Sequence, residues 1–171
     1  MTLLFQYGSN CAESQINSKN RLRGDAKFVG IAETLEDYQL AFDVASTGRG
    51  CAAADIVPSP GKKVWGVLYD VPNFLFERET AADRGRKSLD AIEGKKYARE
   101  SIAVRSANGE ILHASTYKVI SPQTGLRTNL EYVRHIIEGL REHRVPDEYI
   151  VDVKAAACAN NSGISTEVNA L

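Results

Sequence analysis

The chain has 171 residues, 43% of them hydrophobic and 25% charged, with a net charge of −1. That length suits one domain with a full core. The balanced charge excludes a global field that would draw the chain to nucleic acid or to an anionic membrane. No apolar run approaches the roughly 18 residues of a spanning helix. The first residues carry neither a basic stretch nor a cleavage site, so a cytoplasmic protein is expected. Cys11, Cys51 and Cys158 are odd in number and far apart, which suits a reducing compartment better than a disulfide framework. There is no internal repeat. One domain is expected over residues 1–159, with an Asn-, Ser- and Gly-rich tail at 160–171 that should be loosely packed.

In chain order, residues 2–7 read as a strand led by Leu3, Leu4 and Phe5. Gly8 breaks it, and a turn with positive φ is expected there. Asn10 then reads as the N-cap of a short helix over 11–18, with Glu13 three residues on as in a capping box. Residues 27–34 and 38–43 are strands split by Leu35-Glu36-Asp37, and Ser46-Thr47-Gly48-Arg49-Gly50 is a loop. Residues 51–57 and 63–71 are strands joined through Pro58-Ser59-Pro60-Gly61. Residues 73–86 read as one helix. Residues 97–106 and 111–120 pair as a hairpin across Asn108-Gly109, a strong turn signal. Leu130, Val133, Ile136, Ile137 and Leu140 fall at helical spacing and predict a helix near 127–143. Pro146 opens another near 147–158. Many mostly antiparallel strands followed by helices define an α+β domain.

Three blocks carry a functional signal: Tyr7-Gly8-Ser9-Asn10 near the start, the hairpin around Lys63-Val64-Trp65-Gly66-Val67, and Leu89-Asp90-Ala91-Ile92-Glu93-Gly94 followed by Tyr97. In that order and spacing they resemble the gamma-glutamylcyclotransferase family over about residues 3–153. The resemblance implies a small closed or nearly closed mixed β-barrel with flanking helices. It implies a small-molecule γ-glutamyl substrate and no cofactor, since the substrate carries both nucleophile and electrophile. The α-amine attacks the γ-carbonyl of its own chain, 5-oxoproline forms and an amine or amino acid leaves. Such a reaction leans on folding the substrate into a near-attack shape. It also needs a base for the α-ammonium proton and donors for the growing oxyanion.

The resemblance assigns the base to Glu93 and the substrate cradle to Tyr7, Gly8, Ser9 and Asn10, continuing into Cys11 and Ala12. Cys11 departs from the larger aliphatic residues usual there, which matters little if the contact is through the backbone. Tyr132 matches a family tyrosine at the pocket, yet its register beside Ile136 suits a core tyrosine equally well. Asn10, where glutathione-specific and γ-glutamylamine relatives carry leucine, looks more like the γ-glutamyl-amino-acid branch. A specialised γ-glutamyl conjugate is a further candidate. A second reading is a non-catalytic member of the fold that binds a small acid or a partner protein. Neither nucleic acid nor membrane is expected as a partner, and the chain is expected as a monomer or homodimer.

Other candidates point elsewhere. His113, His135 and His143 lack a metal-ligand spacing. The cysteines read as small apolar filler. Arg84, Arg86 and Lys87, with Lys95 and Lys96, form a basic stretch without interleaved aromatics, which reads as a solvated face. Its charge near Glu93 would help attract an acidic substrate.

Overall fold

The computed structural model describes residues 1–171. Seven strands alternate with helices: β1 (Thr2–Gln6), α1 (Glu13–Ile16), β2 (Lys27–Thr34), β3 (Tyr38–Ser46), β4 (Cys51–Pro58), β5 (Trp65–Val71), α2 (Arg78–Ala82), α3 (Leu89–Glu93), β6 (Tyr97–Ser106), β7 (Ile111–Val119), α4 (Leu130–Glu142), α5 (Asp147–Asn160) and α6 (Ser165–Asn169). Five strands close a barrel in the order β1-β5-β2-β6-β7. All neighbours are antiparallel except β1 and β7, which meet in parallel at Leu4 and Ser115. The Thr116 hydroxyl donates to the Phe5 carbonyl across this seam (3.0 Å). Closure removes the exposed edges that an open sheet would present. β5 lies between β1 and β2, and Val67, Leu68, Tyr69 and Val71 are accordingly all buried.

β3 and β4 form a separate two-stranded ribbon outside the barrel. A lone ribbon is marginal in water, so side-chain hydrogen bonds tie it to other elements. The Tyr97 hydroxyl donates to the Ala54 carbonyl (3.0 Å), and Asp55 accepts from the Val119 N–H of β7 (3.0 Å). Asn160, at the end of α5, donates to the carbonyls of Phe42 and Leu126. The run Ala52-Ala53-Ala54 is buried, and its small side chains let the ribbon press against the first turn of the chain. α4 buries Val133, Ile136, Ile137 and Leu140 along one stripe, as the spacing predicts.

Three expectations change. Residues 73–86 are not one helix: a 3-10 turn (Asn73–Leu75) and α2 are separate, and the chain turns at Gly85 with φ 65°. Only Leu75, Phe76 and Ala81 are buried there, too few to support a continuous amphipathic face. The segment after Gly8 is likewise a 3-10 turn (Ser9–Cys11) and then α1, with Ala12 rather than Asn10 at the cap of α1. The C-terminal stretch is packed: Asn161 caps a 3-10 turn (Ser162–Ile164), α6 follows, and Val168 is fully buried in the core. One well-placed valine outweighs the polar composition around it. The compositional signal carries no information about such a docking contact.

Candidate active site

At the end of β1 the chain enters a pocket of about 420 Å³. The walls come from the Tyr7–Asn10 segment, the β3–β4 loop, the end of α3 and the tyrosines of β6, β7 and α4. Ser9 and Asn10 are each only 7% exposed. Gly8 has φ −102°, so the expected left-handed turn is absent. A Cβ there would stand 3.4 Å from the Ala54 Cβ and 3.5 Å from the Tyr132 hydroxyl, which is ordinary contact.

Ser88 starts α3 by accepting from the Ala91 N–H (3.1 Å). Gly94, with φ 78°, ends it in a conformation that residues with a Cβ rarely adopt. Glu93 is therefore the last residue of a short helix, and its carboxylate turns inward. Its Oε1 accepts from Arg21 Nη1 (3.0 Å) and from Asn10 Nδ2 (3.3 Å). The glutamate and arginine side chains are 12% and 20% exposed. The Asn10 amide is thus spent on Glu93 rather than on a helix cap, and its Oδ1 is buried without a partner. The turn carrying Arg21 is held from outside by Arg86, which pairs with Asp25 and donates to the Leu22 carbonyl (2.8 Å). Arg86 is therefore a structural anchor and not part of a solvated face.

Four phenols line the pocket: Tyr7, Tyr97, Tyr117 and Tyr132. Loss of hydration raises the Tyr7, Tyr97 and Tyr132 hydroxyls above the ordinary phenol range, so all three keep their protons at physiological pH. Tyr7 donates to the Tyr117 carbonyl, and Tyr117 donates to Asp90 (2.6 Å). Tyr132 is both core and pocket: it is 5% exposed and accepts from the Ala54 N–H (3.0 Å). Its own hydroxyl proton is left uncommitted, beside Gly8. Arg49, from the β3–β4 loop, lies over the Tyr132 ring (5.1 Å) and donates to the Ser9 hydroxyl (3.3 Å).

Of the residues singled out from the sequence, the fold gathers Tyr7, Gly8, Ser9, Asn10, Glu93 and Tyr132 around this pocket. Cys11 and Ala12 are not brought to it. The 3-10 turn rotates Cys11 into the core, where its thiol donates to the Gln6 carbonyl (3.1 Å) and burial raises its pKa well above the ordinary thiol range. Its carbonyl accepts from the Tyr69 hydroxyl (2.7 Å), whose oxygen also lies 3.1 Å from His143 Nε2. Gly139 of α4 packs so closely on the same segment that a Cβ would fall 2.5 Å from the Ala12 nitrogen. Arg21, Arg49 and Tyr117 are pocket residues that sequence reasoning missed, Tyr97 joins from the third block, and Lys95 and Lys96, expected on a solvated face, line the pocket. Nothing in the spacing of Arg21, Arg49 and Tyr117 marks them, since each arrives from a different element. No group of three or more His, Cys, Asp or Glu side chains is placed to share a metal ion.

This combination of a five-stranded mixed barrel, a Tyr-Gly-Ser-Asn turn and an inward glutamate defines a barrel protein with a carboxylate-based site. The family described as gamma-glutamyl cyclotransferase, AIG2-like, matches residues 4–135, and the chain belongs to it. A gamma-glutamylcyclotransferase of Homo sapiens is 27% identical over 175 residues, covering 97% of this chain and 85% of that protein. Its counterpart in Bos taurus is 28% identical over 155 residues, covering 86% and 74%. A solved gamma-glutamyl cyclotransferase shares the fold with a TM-score of 0.74 at 24% identity, covering 90% of this chain and 86% of that one. No helix is long and apolar enough to cross a membrane.

Proposed function

We propose that this chain is a γ-glutamyl cyclotransferase that releases 5-oxoproline from a γ-glutamyl compound, with Glu93 as the proton shuttle. The observation that carries this reading is the Glu93 carboxylate, turned into the pocket with Oε1 held by Arg21 and Asn10 and Oε2 left unengaged. Oε2 removes a proton from the α-ammonium. The freed amine nitrogen attacks the γ-carbonyl carbon, forming the new C–N bond of the lactam. Charge on the carbonyl oxygen is met by the uncommitted hydroxyl proton of Tyr132 and by Ser9, preorganised in a site largely shielded from water. Glu93 then returns its proton to the departing nitrogen as the original amide bond breaks, and the surplus proton on the ring nitrogen passes to the released amine, which leaves as an ammonium. The substrate supplies both reacting groups, so the step draws on no cofactor.

The test is a panel of γ-glutamyl amino acids, γ-glutamyl amines and larger conjugates, assayed for 5-oxoproline. Turnover of at least one class is expected. A panel in which compounds raise the melting temperature but none releases 5-oxoproline would replace the enzyme with a binding protein of the same fold.

A further inference from the structure

We propose that Arg49 recognises the free α-carboxylate of the γ-glutamyl head group, and so admits compounds that carry this head whatever their leaving group. The proposal rests on the cyclotransferase reading above and names a residue within that pocket. Two arginines line the pocket: Arg21 pairs with Glu93, whereas Arg49 has no acidic partner. Its guanidinium carries five N–H donors, yet its one hydrogen bond goes to the Ser9 hydroxyl at 3.3 Å. A half-buried cation without a counter-charge is costly unless a ligand supplies one. The planar fork, seated over the Tyr132 ring, suits bidentate capture of a carboxylate.

Position selects which carboxylate. Ser9, which contacts Arg49, and Asn10, which contacts Glu93, are consecutive residues. The cation and the base therefore flank one short segment of backbone. In the substrate the α-amine and α-carboxylate share one carbon. A carboxylate gripped by Arg49 brings its amine toward Glu93, while the leaving group extends away from both. Arg49 thereby acts on the head common to all substrates and not on the leaving group.

The experiment pairs binding with kinetics in Arg49→Gln and Arg49→Lys. Thermal shift is measured with 5-oxoproline, which keeps the α-carboxylate, and with 5-oxoprolinamide, which lacks it. Turnover is measured on γ-glutamyl-alanine and on γ-glutamyl-ethylamide, whose leaving group has no carboxylate. Arg49→Gln should raise KM for both substrates alike, by roughly 10- to 100-fold, with kcat within a few-fold of wild type. It should lose the shift with 5-oxoproline and leave the response to the amide unchanged. Arg49→Lys, which keeps the charge without the fork, should fall between, and it carries the test if the glutamine variant does not fold. A penalty on γ-glutamyl-alanine alone would assign Arg49 to the leaving group and overturn the proposal. Equal loss with 5-oxoproline and its amide would reduce Arg49 to a loop support and also overturn it. Wild-type protein that neither binds 5-oxoproline nor releases it would instead refute the cyclotransferase reading itself.

Discussion

Glu93→Gln separates catalysis from folding because of how the carboxylate is held. Only Oε1 is engaged, by Arg21 at 3.0 Å and Asn10 at 3.3 Å. A glutamine can set its amide oxygen in that position and keep both bonds. Its NH2 then occupies the place of Oε2, where it is a donor and cannot take a proton from the ammonium. General acid–base catalysis is worth about 10²–10⁴ in rate, or roughly 3–5 kcal/mol of barrier. The expected result is a kcat loss in that range, with the thermal shift by 5-oxoproline retained. Stability should drop slightly. Desolvation alone would favour the neutral amide, but Arg21 reverses the sign, because the substitution leaves a guanidinium that is 20% exposed without its counter-charge. A pair of this partial exposure falls near the upper end of surface pairs, about 1 kcal/mol, or about 2–4 °C in Tm for a chain of this size. Turnover to 5-oxoproline and the melting curve are measured on the same preparation. Turnover within a few-fold of wild type would refute Glu93 as the base. A Tm fall of tens of degrees would show that the carboxylate supports the fold and not the chemistry.

Three further substitutions probe the frame around the pocket. Gly139→Ala places a methyl 2.5 Å from the Ala12 nitrogen and 3.0 Å from the Cys11 carbonyl carbon. It should cost about 1–3 kcal/mol by overpacking and raise KM by displacing the Ser9–Asn10 segment; denaturation and kinetics at wild-type values would contradict that packing. Gly8→Ala should leave Tm nearly unchanged, since φ is −102° and the new methyl has room, but should lower activity because the methyl takes up pocket space beside the Tyr132 hydroxyl that substrate would occupy. A large stability loss would mean that the turn does need glycine. Asp43, at the bulge of β3, is pushed up to about 6, first by loss of hydration and then by the neighbouring Asp55. Its native state holds the proton more tightly than the unfolded chain does, so this carboxyl costs stability as pH rises from about 4 through 6. Asp43→Asn should therefore raise Tm at pH 7.5 and leave it unchanged near pH 4; the opposite ordering of the two melting shifts would refute the sign.

Much of the fold was legible in the chain because its signals are local. Apolar-rich runs bounded by turn residues marked the strands, Asn108-Gly109 marked the β6–β7 hairpin, and the Leu130–Leu140 stripe marked α4. The break within residues 73–86 and the docking of Val168 were not legible, because each depends on what a neighbouring element buries. The site divides in the same way. Tyr7-Gly8-Ser9-Asn10 and Glu93 lie in compact motifs, and the fold brings them to one pocket. Arg21 and Arg49 come from a turn and a ribbon loop with no pattern of their own, and only barrel closure and ribbon docking bring them to Glu93 and Ser9. The sequence by itself determined which residue types are present at the motif positions and which segments extend or coil. Tertiary structure alone decided which oxygen of Glu93 is free, that Cys11 faces the core, and that Arg49 lines the pocket without a counter-charge. Side-chain partners separated by 40 to 83 residues are set by packing, which no local periodicity encodes.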